Sequence, residues 1–242
     1  IFKSPNEIQI HIRYFNYKDN ERPYLDVQKL AEAMTEKCMV AGIKLSGGKT
    51  AIQKSYHKDI GAFQVEEKRI YPYLGELINY LNGDYYGGLD VGFNYDMLQN
   101  LRRYTDYTTT YSDPNLGSSC TAFGVYNAIK AGVKYKLDKD SLDGIKVAIK
   151  GIGKVGYQLA NYLLEDGVSL IVADKNIDQM QYVKELQEKY PFKIEITDHN
   201  EIHKKEVDVY SPCAMGNDIR ISRISHMNCK IICGAANNQL DI

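Results

Sequence analysis

The chain contains no tryptophan, and among its 242 residues only five cysteines, five histidines and six prolines. It also lacks an excess of either charge: 30 Lys and Arg stand against 31 Asp and Glu, a net charge of -1. That balance excludes the basic footprint of a nucleic-acid binder or of a protein held on an anionic membrane. No apolar run reaches the roughly 18–20 residues that a membrane span needs. The opening "IFKSPNEIQIHIRYF" has no basic segment leading into an apolar one, so no secretory signal is read there. Its first residue is Ile rather than Met, as expected of a processed or trimmed product. The cysteines (Cys38, Cys120, Cys213, Cys229, Cys233) are odd in number and have no paired spacing. "CKIIC" (229–233) reads as a buried strand without a second Cys/His pair to complete a zinc site. Reduced thiols in a cytoplasmic protein are therefore expected. His199 and His203 in "DHNEIHKKE" read as an exposed polar face, and with His11, His57 and His226 they supply no third ligand, so no metal is expected.

What is present suits one or two domains with real cores: 44% of residues are hydrophobic and 25% charged. From about Tyr24 to Cys38, Leu25, Leu30, Ala33 and Met34 recur at helical spacing. "RIYPYLGELINYLNG" repeats the pattern with Leu74, Leu77, Ile78 and Leu81, and Gly83 stands where a helix stops. "DPNLGSS" (113–119) gathers turn formers, with Ser119 placed to cap a helix starting near Thr121. After that helix the rhythm changes to short apolar strands alternating with helices: "KVAIKGIG", "YQLANYLLEDG", "SLIVADKN", "DQMQYVKELQEKY", then "KIEITD", "VDVYSPC" and "KIICGAAN". Such alternation predicts an α/β protein whose second part is a doubly wound parallel sheet. The expected domains are 1–118 and 119–242.

"GIGKVG" carries Gly151, Gly153 and Gly156 in the G-x-G-x-x-G pattern. Alone it often marks a tight turn. Here it follows a strand and opens a helix, the context of a dinucleotide site. The first glycine makes the turn, the second admits a pyrophosphate and the third lets helix and strand pack closely, with Lys154 and Val155 between them. Asp174 ends the next strand about twenty residues on, where a carboxylate can bond a ribose 2′-hydroxyl and repel a 2′-phosphate. This favours NAD over NADP, although Lys175 next door works the other way. The competing reading is a sheet of this type that binds nothing.

"AGIKLSGGKTAIQ" (41–53) places Lys49 after Gly47 and Gly48. Lys49 could be solvated, could ligate phosphate, or could be held in a pocket for chemistry. A phosphate loop needs G-x-x-x-x-G-K-[ST], and position 43, where its first glycine belongs, is Ile. That reading is rejected.

"MTEKCMVAGIKLSGGKTAI" resembles the lysine-containing stretch of the glutamate/leucine/phenylalanine/valine dehydrogenase family. "GLDVGF", "TAFGVYNAIKA", "VAIKGIGKVGYQLA", "VADKN", "DVYSPCAMG" and "GAANNQL" follow in the family's order. The wording is most similar to the leucine and phenylalanine dehydrogenase branch, and the resemblance runs from about Arg13 to Leu240. It implies NAD-dependent, reversible oxidative deamination of an L-amino acid to a 2-oxoacid and ammonia, by a homo-oligomer that binds these small molecules. Lys49 matches the family's catalytic lysine, and Lys37 in "MTEK" the lysine that holds the substrate carboxylate. Asp90 in "LDVG" matches the aspartate that shuttles protons. Thr121 matches a threonine near the nicotinamide amide. Ala214 and Asn237 match positions lining the nicotinamide and its ribose. In that chemistry a lysine of depressed pKa takes a proton from the attacking water, burial and a nearby cation lower such a pKa, and Lys37 is the cation expected there.

Three departures qualify the resemblance. Ser46 replaces a third glycine. Ile10 and His11 stand where the family has a glycine pair before its arginine, with Gln9 at a side-chain-selecting position that is neither the lysine of glutamate enzymes nor the leucine of leucine enzymes. The chain ends at "NNQLDI", short of the family's final strand and helices. A clipped chain, a fragment or a protein that has lost machinery would each account for this. The expected substrate is a neutral, aliphatic or aromatic amino acid. The alternatives are a dinucleotide-binding relative without catalysis, in a regulatory or assembly role, and a glutamate dehydrogenase.

Overall fold

In the computed structural model, residues 8–15, 21–53, 60–109, 113 and 115–241 are described, residues 8–11 and 60–67 by their backbone alone. The chain divides into two compact units, Ile1–Ser112 and Asp113–Ile242. The division falls ahead of the expected 118/119 boundary because the connecting helix begins earlier than Ser119. Helix α4 spans Leu116–Leu137, so Ser119 lies inside it rather than capping it. Asp113 organises the turn before it, its Oδ1 accepting from the Asn115 amide at 2.8 Å.

The first unit is built on a three-stranded parallel sheet, β1 (Ile8–Phe15), β2 (Ser46–Gln53) and β3 (Tyr85–Gly88), in the order β2-β1-β3. A parallel sheet must be covered on both faces. On one face Ile12 and Tyr14 of β1 and Tyr85 of β3 pack against Tyr71, Leu74 and Ile78 of α2 (Ile60–Tyr80) and Met97, Leu98 and Leu101 of α3 (Tyr95–Leu101). Helix α2 carries Pro72 within it, and Asn82 and Gly83, both at positive φ, follow its end.

The other face belongs to α1 (Arg22–Val40), which buries Val27, Leu30, Ala31 and Cys38 along one stripe. Helix and strand are in backbone contact at Gly47. A Cβ there would clash with the Ala31 carbonyl, the Met34 Cβ and the Thr35 amide, each at 2.4 Å. The Gly47 amide instead donates to Thr35 Oγ1 at 3.0 Å. Gly47 thus serves helix docking inside a strand, not a phosphate loop.

The second unit is a five-stranded parallel sheet in the order β6-β5-β4-β7-β9, formed by β4 (Lys146–Lys150), β5 (Ser169–Ala173), β6 (Ile194–Ile196), β7 (Val209–Pro212) and β9 (Ile231–Ile232). Between them come α5 (Lys154–Glu165), α6 (Met180–Lys189), the short β8 (Ile219–Arg220) and α7 (Ile221–Ile224), with β10 (Leu240–Asp241) pairing β8. Val147, Ile149, Leu170 and Val172 meet Ile129 and Val133 of α4 and Leu159 and Leu163 of α5 in a closed core. Each such side chain contributes about 1.5–3 kcal/mol on burial. Strand β4 is central, so the turn after it lies where the strand order reverses, the usual ligand position in open α/β sheets.

Two expectations are corrected here. "CKIIC" is not a buried strand: β9 is two residues at the sheet's edge, and Ile232 is 44% exposed. "DHNEIHKKE" is not a uniformly exposed face: Ile202 and His203 are buried in a 3₁₀ turn, Ile202 against Ala148, Ile171 and Tyr210. Burial, with Arg223 and Lys150 nearby, pushes the His203 pKa down from 6.5.

Because α1 touches β2 backbone to backbone, Gly47→Ala is expected to cost about 1–3 kcal/mol, the range for overpacking a closed interior. A urea unfolding midpoint equal to the parent's would contradict the packing described.

Candidate active site

Lys49 lies in the middle of β2 and is 6% exposed. Its Nζ is 2.5 Å from Asp90 Oδ2. The same oxygen accepts from Arg13 Nε at 3.1 Å, and Arg13 Nη1 turns to both oxygens of Asp26, at 3.1 and 2.8 Å. Four charges therefore alternate in a row: Asp26, Arg13, Asp90, Lys49. Strand geometry explains their meeting. Arg13 and Lys49 sit on strands paired in register, His11 opposite Lys49 and Arg13 opposite Ala51, so both side chains share the face that α1 covers. Asp26 comes from α1 itself. Asp90 follows β3 in a turn closed by the Phe93 amide on the Asp90 carbonyl at 3.0 Å. Gly92 has φ +78° at the third position, and any Cβ there would run into the Tyr14 carbonyl. The "DVG" of the sequence is thus a turn of type II that presents a carboxylate.

Burial disfavours the ammonium of Lys49, and Arg13 repels it further. Together they outweigh the attraction of Asp90 and hold the Lys49 pKa below 10.5. Burial pushes the Asp90 carboxyl up, but Lys49 and Arg13 pull harder, and it stays below 3.8. The cation acting on Lys49 here is Arg13, whereas Lys37 had been expected in that place. Lys37 is exposed in the last turn of α1. A buried amine bonded to an ionised carboxylate can exchange protons with a substrate and pass them along the pair. Alternation places Ser46 on the opposite side of β2 from Lys49, so its hydroxymethyl group does not crowd that face. The side chains of Gln9, Ile10 and His11 lie outside the described residues.

In the second unit the three glycines of the turn sit in three different environments. Gly151 has φ +99°. Gly156 faces the Gly151 carbonyl so closely that no Cβ would fit. Gly153 caps α5 with extended backbone, and a Cβ there would meet nothing within 4 Å. That open space lies against the free amides of a helix start, with Lys154 exposed and Val155 half-buried in the first turn. A pyrophosphate would fit this cradle, since it needs backbone approach and donors, and no described side chain lies within 4 Å of a Cβ position at Gly153. Asp174 braces the turn: Oδ2 accepts from the Ile152 amide at 2.7 Å and Oδ1 from the Asn176 amide at 2.8 Å. A carboxylate has about four acceptor positions, so capacity remains for a ribose hydroxyl. Ala214 packs on Gly151, and Asn237 faces Gly216 across the neighbouring segment. The Thr121 hydroxyl donates to the Gly117 carbonyl at 2.7 Å within α4.

The Glutamate/Leucine/Phenylalanine/Valine dehydrogenase family profile matches residues 116–241, more than half of the chain. The chain belongs to this family. Leucine dehydrogenase of Bacillus subtilis is 36% identical over 233 residues, covering 94% of this chain and 61% of the relative. Phenylalanine dehydrogenase of Lysinibacillus sphaericus is 33% identical over 232 residues, covering 94% and 59%. L-tryptophan dehydrogenase from Nostoc punctiforme superposes with a TM-score of 0.72 at 28% identity, covering 98% of this chain and 64% of that one. The hetero-hexameric glutamate dehydrogenase from Thermus thermophilus, in its Leu-bound form, superposes at 0.73 over 98% and 60%. At 16% identity that last likeness shows the fold alone. The chain spans about three fifths of the length of the curated relatives it matches. The expected α/β fold is that of the family's solved structures.

Sequence reasoning missed the participation of Arg13 and Asp26. The signal for Arg13 was a lone charge between Ile12 and Tyr14 in an apolar strand. No helix among the described residues is long and apolar enough to cross a membrane. Among them, too, no three His, Cys, Asp or Glu side chains are grouped to hold a metal ion.

The depressed Asp90 pKa gives a signed prediction. Its stabilising contribution is complete above the unfolded value, near 3.8, and is lost as pH falls through the lower folded value. Stability measured by urea unfolding between pH 4.5 and pH 2.5 (roughly the window for such a carboxylate) is expected to fall less steeply in Asp90→Asn than in the parent. Equal slopes would contradict the pairing.

Proposed function

We propose that this protein catalyses the reversible, NAD-dependent oxidative deamination of a neutral, aliphatic or aromatic L-amino acid to its 2-oxoacid and ammonia. The observation that carries this reading is the buried Lys49–Asp90 pair, with Lys49 held below its ordinary pKa, in a member of an amino-acid dehydrogenase family. The named leucine, phenylalanine and tryptophan dehydrogenases support a neutral side chain.

The bound dinucleotide would supply a hydride acceptor, held by Gly151, Gly153, Lys154, Val155 and Gly156, with Asp174 on the adenosine ribose and Thr121, Ala214 and Asn237 toward the nicotinamide end. The residues of this chain do the rest. Lys37 binds the substrate carboxylate. Asp90 takes a proton from the substrate ammonium, leaving the free amine whose Cα–H bond then breaks. Lys49, as the neutral amine, takes a proton from the water that adds to the resulting iminium, and its ammonium then stabilises the developing oxyanion. Asp90 returns its proton to the departing ammonia. The products are 2-oxoacid, ammonium, reduced dinucleotide and one proton, which balances amino acid, oxidised dinucleotide and water. The Asp174 carboxylate supports NAD over NADP. A cytoplasmic homo-oligomer is the setting that fits this chemistry.

One observation supports a second reading, a dinucleotide-binding relative without turnover: the register sets Ile10 beside Gly48 and His11 beside Lys49, where the family resemblance implies a glycine pair.

The test is NADH formation at 340 nm with a panel of L-amino acids, for the parent and Lys49→Ala. The proposal expects turnover in the parent and a loss of at least about 100-fold in the variant. It also expects kcat/KM to fall with decreasing pH through a Lys49 pKa below 10.5. Turnover unaffected by the substitution would sink the assignment, and no turnover with NAD still bound would favour the second reading.

A further inference from the structure

The strand that leads into the glycine turn ends in a lysine, and that lysine is buried. Lys150 follows Val147, Ala148 and Ile149 in β4 and immediately precedes Gly151. Its carbonyl and its ammonium each fasten one end of the same loop. Its carbonyl accepts from the Cys213 amide at 2.7 Å. Its ammonium bonds Asp218 Oδ1 at 2.5 Å. Between these points the chain leaves the sheet as Ala214–Asn217, all four exposed, with Asn217 at φ +59°. Asp218 is anchored further by the Tyr210 hydroxyl on Oδ2 at 2.5 Å and by Arg223 Nη1 on Oδ1 at 2.7 Å.

The loop so held packs on the turn. A Cβ at Gly151 would lie 2.7 Å from the Ala214 amide and 2.8 Å from its Cβ. On its other side Gly216 abuts the carbonyls of Asn237 and Asn238, and the Asn217 amide donates to Asn238 at 2.7 Å. Buried ion pairs contribute little net stability, because desolvation consumes most of the attraction. An apolar residue continuing β4 would serve the core as well. What the pair supplies is geometry. Asp174 follows β5, on one side of β4, and the loop follows β7 on the other. A dinucleotide laid across the turn with its adenosine ribose at Asp174 extends its other nucleotide toward this loop.

We propose that Lys150 is a positioning residue for the nicotinamide half of the dinucleotide pocket: by holding both ends of the 213–218 loop it sets Ala214 against the glycine turn. This rests on the dinucleotide reading of Gly151–Gly156.

Calorimetry with NAD and with ADP-ribose, which lacks the nicotinamide, tests it on the full chain. The parent is expected to bind both. Lys150→Met is expected to bind NAD about tenfold more weakly while keeping its ADP-ribose affinity, a loss of about 1.4 kcal/mol confined to one half of the ligand. Lys150→Arg is expected to recover much of the loss, and Asp218→Asn, which leaves β4 untouched, to reproduce it. If the methionine variant does not fold, Asp218→Asn alone decides: full NAD affinity there overturns the proposal. Equal weakening of NAD and ADP-ribose, or weakening of neither, overturns it too. A parent that binds neither ligand instead removes the dinucleotide reading itself.

Discussion

A lysine ammonium is among the most strongly hydrated side-chain ions, and Lys49 is taken almost wholly out of water. Burying such an ion alone costs several kcal/mol. The first unit accommodates it by setting Asp90 beside it, Arg13 beside Asp90 and Asp26 beside Arg13, so that every ion in the row faces the opposite sign. The row is neutral as a whole, yet its members differ. Arg13 and Asp90 are flanked by opposite charge and stay ionised; burial drives the Arg13 pKa down, but the two aspartates outweigh it. Lys49, at the end, is bonded to Asp90, and burial with the repulsion of Arg13 prevails over the attraction of the aspartates. The amine at the end of the row is thereby the group that gives up its proton most readily for its type. The sheet order, the type II turn at Asp90 and the helix over β2 all serve to assemble these four side chains.

The second unit solves a different problem with the same residue type. At Gly47 the missing Cβ lets a helix approach a strand, and at Gly156 it lets a helix approach a turn. At Gly153 it leaves space that no described residue fills within 4 Å. An unfilled glycine against free helix amides differs physically from a filled one. A filled glycine leaves no room for a ligand, whereas an open one at a helix start does, although both read as "G" in the sequence. The buried Lys150–Asp218 pair ties the loop after β7 to the residue that precedes the turn.

Much of this was legible beforehand, and the reasons are specific. Helix α1 and the β4–turn–α5 unit announce themselves through local periodicity and glycine spacing, which depend on near neighbours in sequence. The roles of Arg13 and Asp26 were not legible, because Arg13 meets Asp90 across 77 positions and only the parallel register brings them together. The burial of His203 and the thin, exposed β9 were misread for a related reason. Composition says how polar a segment is, but not whether it lies beneath a sheet or at its edge. The start of α4 was misplaced because Asp113 and Asn115 organise the turn that Ser119 had been thought to cap. Gly47 and Gly48 were legible as a glycine pair before Lys49, yet whether a helix or a ligand approaches them is a tertiary fact.

The central claim is that the burial of Lys49 and the neighbouring Arg13 prevail over its bond to Asp90. The most direct test is the titration of the Lys49 Nζ itself by NMR, with lysine labelled at the side chain and the signal assigned by its loss in Lys49→Arg. The account expects a titration midpoint below the ordinary 10.5, shifting upward when Arg13 is replaced by Met. A midpoint at or above 10.5, unmoved by that replacement, would show Lys49 to be a structural partner of Asp90 and contradict its place in the chemistry.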